Sequence, residues 1–470
     1  MHSPPPPARA AGADASTAAP LPPTLSQAWR FWLKLGCISF GGPAGQIALM
    51  HEELVERRRW ISERRFLHAL NYCMLLPGPE AQQLATYIGW LLHRTRGGIV
   101  AGALFVLPSL VLLIGLSWLY MAHGDVPVVA GVFYGIKPAV TALVVQAAWR
   151  VGGRTLKNGW LWGVAVAAFL ALFALELPFP LIVLGAALIG HLGGRFAPQS
   201  FMAGSGGGAH GGGNGQGAAQ APPAVIDDDT PTPPHARFGW PRFRAVLLAG
   251  MGLWLAAMGG LVALQGWQGW QGTLTQMGWF FTKAALLTFG GAYAVLPYVH
   301  QGAVEHFHWL NATQMMDGLA LGESTPGPLI MVVAFVAYVG GWTSAVFGPG
   351  ALPLAGAVAA IVVTFFTFLP SFVFILLGGP FIESTHGQLR FAAPLTAITA
   401  AVVGVIVNLA VFFAMHVLWP QGLGGRFDTA SAVIGVLAGV ALMRLKWGVL
   451  PVLALAGLAG VGWRLLLAGG

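Results

Sequence analysis

The sequence is poor in charge. Asp, Glu, Lys and Arg make up only 9% of its residues, against ~25% in average soluble proteins. Hydrophobic residues make up 56% of the chain and the mean hydropathy is +0.70. Long uncharged apolar runs are typical of helices that cross a membrane. The composition therefore excludes a soluble globular protein and predicts an all-α polytopic membrane protein.

Several signatures of catalysis and metal binding are also missing. Cys37 and Cys73 are the only cysteines, which excludes a disulfide framework and any cysteine-based metal spacing. Both lie in apolar segments, so we expect buried free thiols. No GxxxxGK[ST] motif is present, which excludes a built-in ATPase of that type. We expect no enzyme activity, no cofactor and no metal. The energy source would be an ion gradient, a separate subunit or the gradient of the substrate itself.

The net charge of +8 is distributed over loops and does not indicate a nucleic-acid partner. Residues 51–65 contain five arginines, and an excess of arginine marks cytoplasmic loops of membrane proteins. We therefore expect membrane lipid around the chain, with this loop in the cytoplasm. Trp60, with its counterpart Trp309, is predicted to be an anchor at the membrane interface.

Composition divides the chain into four parts. Residues 1–24 predict a disordered cytoplasmic tail, and 196–240 a flexible Gly/Pro-rich cytoplasmic linker. Residues 25–195 and 241–470 are the two membrane parts, with about 13 hydrophobic segments between them. Nine are plain spans: 97–120, 127–149, 160–176, 178–194, 242–268, 349–378, 392–417, 429–444 and 447–466. Four are interrupted by Gly or Pro: 25–50, 66–93, 273–299 and 314–341.

The interrupted segments reveal an internal duplication. Phe40-Gly41-Gly42 recurs as Phe289-Gly290-Gly291, and Pro77-Gly78-Pro79 recurs as Pro326-Gly327-Pro328, both at an offset of 249 residues. The same offset aligns further Lys, His, Glu and Trp residues, a match that unrelated apolar stretches would rarely show. The two membrane parts are therefore homologous halves.

Loop charge predicts that these halves have opposite orientations. The second copy of the arginine-rich loop, residues 300–313, contains no Lys or Arg, which places it outside the cell. Equivalent loops on opposite faces define inverted-topology repeats, as in many secondary transporters. The number of crossings is consistent if 66–93 and 273–299 are re-entrant hairpins. Alternatively, each broken segment crosses fully and one weak span does not exist.

Each break ends one half-helix and begins another, whose first N–H groups lack partners inside the helix. Such helix starts attract anions, and four of them near the membrane midplane would suit a doubly charged anion. Alternatively, the Gly and Pro residues only kink helices or allow close packing, and Lys34 only extends toward the interface. The candidate anion-binding residues are Lys34, Ser39, Phe40, Gly41, Gly42, Pro43, Gln46, Pro77, Gly78, Pro79, Gln82, Gln83, Lys283, Thr288, Gly290, Gly291, Thr325, Pro326, Gly327 and Pro328.

Four titratable residues are candidates for coupling transport to protons. Glu80 and Glu323 lie beside the Pro-Gly-Pro breaks at non-equivalent positions, and a carboxyl group shielded from water can bind a proton near neutral pH. Alternatively, Glu80 is a helix cap and Glu323 is paired or interfacial. His51 and His300 are repeated, and a structural role at the interface is an equal alternative to titration.

At these motifs the sequence resembles the chromate ion transporter (CHR) family in its long, two-domain form. The likeness covers Lys34–His51, Leu76–Ala85, Phe289–Gly291 and Thr325–Pro328. The resemblance implies antiparallel halves in the inner membrane and export of chromate from the bacterial cytoplasm. It also implies that the proton gradient or the membrane potential drives export and that the protein confers chromate resistance. Transport of sulfate or a similar oxyanion is an alternative, and so is a scaffold or receptor without transport. A homodimer is left open.

Overall fold

The computed structural model describes residues 20–40, 42–124, 126–197, 199, 201, 223–228, 230–231, 233–289, 291–384, 392–422 and 424–468. These residues form helices and turns, with one isolated β-bridge between Ile61 and Ile226. Seven helices are long and apolar enough to cross a membrane, and three shorter apolar helices accompany them. The chain is therefore an all-α polytopic membrane protein. The predicted tail lies almost entirely outside the described residues, as does much of the linker.

The described residues of the first half form seven helices. They are α1 (Leu25–Ile38), α2 (Gly42–His51), α3 (Glu63–Cys73), α4 (Glu80–His123), α5 (Pro127–Thr155), α6 (Gly159–Phe173) and α7 (Phe179–Phe196). Helix α4 is kinked at His93 and Arg94, where the backbone leaves helical geometry. It therefore consists of a short arm before the kink and a long arm after it.

The second half repeats this order after one additional helix, α8 (Trp240–Leu264). Its helices are α9 (Thr273–Leu287), α10 (Ala292–His300), α11 (Ala312–Ser324), α12 (Val332–Thr343), α13 (Leu352–Ser384), α14 (Ala392–Leu418), α15 (Thr429–Met443) and α16 (Val449–Ala468). Helices α12 and α13 correspond to the two arms of α4.

The 249-residue register extends to local geometry. A π-helical turn follows α2 at Glu52–Arg57 and recurs after α10 at Gln301–His306. Ser62 caps α3 with its side chain, and Asn311 caps α11 in the same way. Matching turns and caps indicate that the two halves have the same fold.

The broken segments turn back instead of crossing. The rings of Phe280 in α9 and Tyr298 in α10 stack with centroids 4.8 Å apart, although a continuous helix would separate these residues by about 27 Å. Phe31 and Trp60 are 5.1 Å apart in the first half. A Cβ added at Gly318 of α11 would lie 2.3 Å from the Phe335 ring of α12. Re-entrant hairpins therefore explain the broken segments.

Contacts place the two equivalent loops at opposite ends of the helices. On one face, which we call the linker face, Ile226 pairs with Ile61 and a His235 ring nitrogen lies 3.0 Å from the Trp90 carbonyl. On the other face, the distal face, Gln301 accepts a hydrogen bond from the Phe179 backbone in the α6–α7 turn. The long arm of α4, then α5 and α6, connect the two faces. The halves therefore have opposite orientations.

The long helices α5 and α14 hold the halves together. Helix α5 packs against α14, α15 and α16, and α14 packs against α6 and α7. Gly135 permits the closest approach, since a Cβ there would lie 1.9 Å from the Ala456 carbonyl oxygen. Small residues allow such contacts between membrane helices, where dispersion forces drive association.

Two expectations about single residues are wrong. Cys37 is exposed, and only Cys73 is buried. Trp60 and Trp309 are both buried, since their rings pack against Phe31 and Phe280 at the base of each first hairpin. The repeated aromatic pair fixes the hairpin and does not face the membrane interface.

Candidate anion-binding site between the four breaks

The four breaks lie in the interior, where they are joined in two pairs across the halves. The Gly78 N–H donates to the Thr288 carbonyl oxygen at 2.8 Å. Its counterpart Gly327 donates to the Ser39 carbonyl oxygen, also at 2.8 Å. Each Pro-Gly-Pro break therefore binds the Phe-Gly-Gly break of the other half. These reciprocal bonds show an approximate two-fold relation between the halves at this point.

Glycine is required at the breaks for two reasons. Gly42, Gly78, Gly291 and Gly327 have φ of +70°, +125°, +99° and +106°, a region that other residues rarely adopt. A Cβ on Gly78 would also lie 2.4 Å from the Ser371 hydroxyl oxygen. Gly41 and Gly290, which the sequence also predicts here, lie outside the described residues.

Glutamine side chains secure this junction. Gln46 donates to the carbonyl oxygens of Ser39 and Gly327 and so contacts both halves. Gln83 donates to the Pro77 carbonyl oxygen at 2.7 Å, and Gln82 donates to Thr86 at 3.0 Å. All three glutamines are buried, and their Oε1 atoms accept no hydrogen bond from the described residues. The junction therefore contains buried amide groups with unused hydrogen-bonding capacity.

The helix starts at the breaks are not capped by side chains. Neither Pro79 before α4, nor Gly291 before α10, nor Pro328 before the 3₁₀ turn Leu329–Met331 makes a capping hydrogen bond. Pro43 lies in the first turn of α2, whereas Pro79 and Pro328 precede the helical residues instead of occupying the first position. The first N–H groups of these elements are therefore available to an anion.

The remaining predicted residues differ in location. Ser39 and Thr288 are buried, and each hydroxyl donates to a carbonyl oxygen one turn earlier at 2.6 Å. Thr325 is also buried and donates to Gly322, and Pro326 is buried beside it. Phe40, by contrast, is 38% exposed.

The two predicted lysines lie at the outer surface of the helices. Lys34 and Lys283 are both exposed, and the Lys283 ammonium group lies 5.7 Å from the centroid of the Trp279 ring. Neither contacts the junction of the breaks in this conformation.

The two acidic residues beside the breaks have cationic neighbours on α5. Glu323 accepts a hydrogen bond from the Tyr293 hydroxyl, and Arg150 acts on it electrostatically. Arg154, one turn further along α5, acts on Glu80. Sequence reasoning missed both arginines because α5 reads as a plain span.

The repeated histidines each pair with a glutamate at the end of a hairpin. His51 Nδ1 lies 3.3 Å from Glu56, and His300 Nδ1 lies 3.2 Å from Glu305. His51 also contacts Glu63. The pairs are equivalent in the two halves, and the two-fold relation places them at opposite faces, away from the junction of the breaks.

A third repeated motif escaped the sequence reasoning. Leu107-Pro108-Ser109 in α4 recurs as Leu369-Pro370-Ser371 in α13. Ser371 lies against Gly78, and Ser109 lies against Gly327, so each serine again meets the break of the other half. The Ser109 hydroxyl is buried and has no hydrogen-bond partner in the described part of the chain. The signal was present, but at an offset of 262 residues.

Comparison with known proteins agrees with this architecture. The sequence profile of the chromate transporter family matches residues 26–191 and 275–461, one match in each half. The chain is 31% identical over 460 residues to the chromate transport protein of Pseudomonas aeruginosa, covering 95% of this chain and 94% of that protein. It is 28% identical over 448 residues to the chromate transport protein of Cupriavidus metallidurans, with the same coverage.

A probable chromate transport protein of Synechococcus elongatus is 26% identical over 441 residues, covering 93% of this chain and 95% of that protein. No solved structure matches. The named relatives are transport proteins, which indicates a transporter and not an enzyme. With a profile match in both halves and relatives matched over 94–95% of their length, the chain belongs to the chromate transporter family.

Proposed function

We propose that the protein exports chromate from the bacterial cytoplasm across the inner membrane and thereby confers chromate resistance. The observation that carries the proposal is the reciprocal pair of hydrogen bonds from Gly78 to Thr288 and from Gly327 to Ser39. They join uncapped helix starts of both halves in the interior, where amide donors can replace water around a tetrahedral dianion.

The proposed binding residues are the candidates predicted from the sequence around the breaks, together with Ser109 and Ser371. Uncapped N–H groups and the unpartnered Ser109 hydroxyl suit an oxyanion, because they donate hydrogen bonds without requiring a fixed counter-charge. Lys34 and Lys283 would attract the anion toward the hairpins from the surface. Arg150 and Arg154 would balance its charge near Glu323 and Glu80.

The energy source is proposed to be the proton gradient or the membrane potential. Glu80 and Glu323 are candidate proton carriers because they lie directly beside the breaks. The His51–Glu56 and His300–Glu305 pairs are further candidates, with one pair in each half. In this proposal the arginine-rich loop and the linker face the cytoplasm.

Everted membrane vesicles test the proposal directly, because export from the cell becomes uptake into the vesicle. Vesicles containing the protein should accumulate chromate when energised, and a protonophore should abolish accumulation. Excess sulfate is the discriminating competitor. Little inhibition by sulfate supports a chromate exporter, whereas sulfate uptake at an equal rate supports a general oxyanion transporter. No accumulation above vesicles lacking the protein would refute transport in this direction.

A further inference from the structure

A second cluster of ionisable groups lies in the interior, away from the four breaks. Asp317 of α11 is 2% exposed. Its Oδ1 atom lies 3.5 Å from the Lys137 ammonium group of α5. Its Oδ2 atom accepts a hydrogen bond from the Tyr120 hydroxyl of α4 at 2.9 Å. Side chains from three helices thus meet at one carboxylate group. We call Asp317, Lys137 and Tyr120 the Asp317 cluster.

The cluster lies part-way along α5, one of the helices long and apolar enough to cross a membrane. Lys137 follows the first residue of α5 by ten positions, which corresponds to about 15 Å along the helix. Tyr120 is in the last turn of α4, and its ring packs against Phe133 at 4.9 Å and Phe335 at 5.3 Å. Ionisable residues are costly at such depth and are commonly parts of ion or proton pathways.

The cluster is not a duplicate of the anion site. The position equivalent to Asp317 in the first half is His68, so the carboxylate occurs in one copy only. A structural ion pair would be expected to satisfy both oxygens, yet Asp317 Oδ1 makes no hydrogen bond within the described residues. Its contact with Lys137 is a long ion pair of 3.5 Å. One oxygen therefore remains able to take up a proton.

Few other ionisable groups act on the Asp317 carboxylate. Among the helices packed against α11, α5 contributes Lys137 and α4 contributes Tyr120. Across the described residues of α12, α14 and α16, no ionisable side chain acts on Asp317. Lys137 retains 23% exposure of its side chain, so protein does not fully enclose the pair.

We propose that Asp317, Lys137 and Tyr120 form a proton-binding site. A proton from water binds to Asp317 Oδ1, the carboxylate becomes neutral, and the Lys137 ammonium group loses its counter-ion. Tyr120 continues to donate to Oδ2. Helix α11 leads from Asp317 directly into the Thr325-Pro326-Gly327 break, eight residues later. Breaking the ion pair therefore frees the helix that positions one half of the anion site.

The site extends the proposed function by naming where a coupled proton binds, but its first test needs no transport. Infrared difference spectroscopy of the purified protein follows the C=O band of protonated carboxyl groups during acidification. Asp317→Asn should lose part of this band. The matched control is Asp428→Asn, which changes another carboxylate that accepts a hydrogen bond from a tyrosine, Tyr134, and that caps a helix. The control should retain the band that Asp317→Asn loses.

Two further variants separate proton binding from a structural role. Lys137→Met removes the opposite charge and Tyr120→Phe removes a donor to the carboxylate, so both should shift the band to higher pH. A full band in Asp317→Asn would overturn the proposal. If Asp317→Asn does not fold, an unshifted band in both Lys137→Met and Tyr120→Phe would overturn it.

Transport assays then connect the site to function. In proteoliposomes, Asp317→Asn should retain exchange of chromate at equal concentrations but lose the proton movement that accompanies net transport. Proton movement equal to that of the unaltered protein would contradict a coupling role. Absence of chromate transport in the unaltered protein would refute the proposed function, while the infrared result would still decide whether Asp317 binds a proton.

Discussion

At the scale of single residues, the junction of the breaks depends on glycines whose positive φ other residues rarely adopt. We predict that Gly78→Ala and Gly327→Ala reduce both thermal stability and chromate transport. Each would place a side chain in a strained backbone region costing ~1–3 kcal/mol. The new Cβ at Gly327 would lie 2.7 Å from Ser109 Cβ. The measurements are thermal unfolding in detergent and vesicle uptake.

Two other glycines provide the comparison for these variants. Gly42 also has a positive φ, but a Cβ added there would meet no atom within 4 Å. Gly42→Ala should therefore reduce stability and transport less. Gly115→Ala has open space and ordinary helical geometry, and it should behave as the unaltered protein. If Gly78→Ala were as stable and active as Gly115→Ala, the close junction of the breaks would be wrong.

The His300–Glu305 pair predicts a pH dependence of stability. The hydrogen bond from His300 lowers the pKa of the Glu305 carboxyl below its ordinary value. A lowered pKa stabilises the fold above the unfolded-state pKa, and this contribution is lost as pH falls through the folded value. Glu305 is largely exposed, so we expect a small effect.

Thermal unfolding from neutral pH to about pH 3, which is below the ordinary Glu pKa of about 4.3, measures this contribution. Glu305→Gln should start from a lower melting temperature at neutral pH, and the difference from the unaltered protein should narrow on acidification. A constant difference across the series would show that Glu305 does not act through this pair.

At the scale of helices, the packing of α5 against α16 joins the two halves. We predict that Gly135→Ala destabilises the protein, because its Cβ would lie 1.9 Å from the Ala456 carbonyl oxygen. Overpacking costs ~1–3 kcal/mol. Gly163→Ala in α6 is the matched control, since that position has nothing within 4 Å. Equal unfolding temperatures for the two variants would contradict close contact of α5 and α16.

Sequence patterns predicted the helices and their breaks better than they predicted the contacts between helices. The breaks and their offset identified four interrupted segments, and loop charge with the crossing number favoured re-entrant hairpins. The Leu-Pro-Ser motif was missed because the second half has 13 more residues between the Pro-Gly-Pro break and this motif. Lys137 and Asp317 were missed because they lie in different segments far apart in the sequence, and only tertiary packing joins them. Trp60 was misread because an interface aromatic and a buried one have the same sequence context.

At the scale of the whole molecule, the inverted arrangement predicts opposite accessibility of equivalent loops. Arg57 and His306 are equivalent positions in the π-helical turns, and both are exposed. In a background with Cys37 and Cys73 replaced by serine, Arg57→Cys should react with a membrane-impermeant maleimide only from the cytoplasmic side. His306→Cys should react only from outside. Labelling of both from one side would exclude inverted halves.

Composition alone predicted the membrane class, and loop charge predicted the orientation of the halves. The reciprocal bonds between the breaks could not be predicted, because they depend on where the two halves meet. They also use the amide groups of Gly78 and Gly327, which leaves the following helix starts as donors for an anion. We therefore predict that the anion binds at these helix starts, between the two halves.

Cryo-electron microscopy of the protein in lipid nanodiscs with chromate tests this claim most directly. We predict density for one tetrahedral anion between the Phe-Gly-Gly and Pro-Gly-Pro breaks, within hydrogen-bonding distance of amide groups from both halves. A bound chromate ion that contacts only one half, or that lies at Lys34 or Lys283 on the surface, would contradict it.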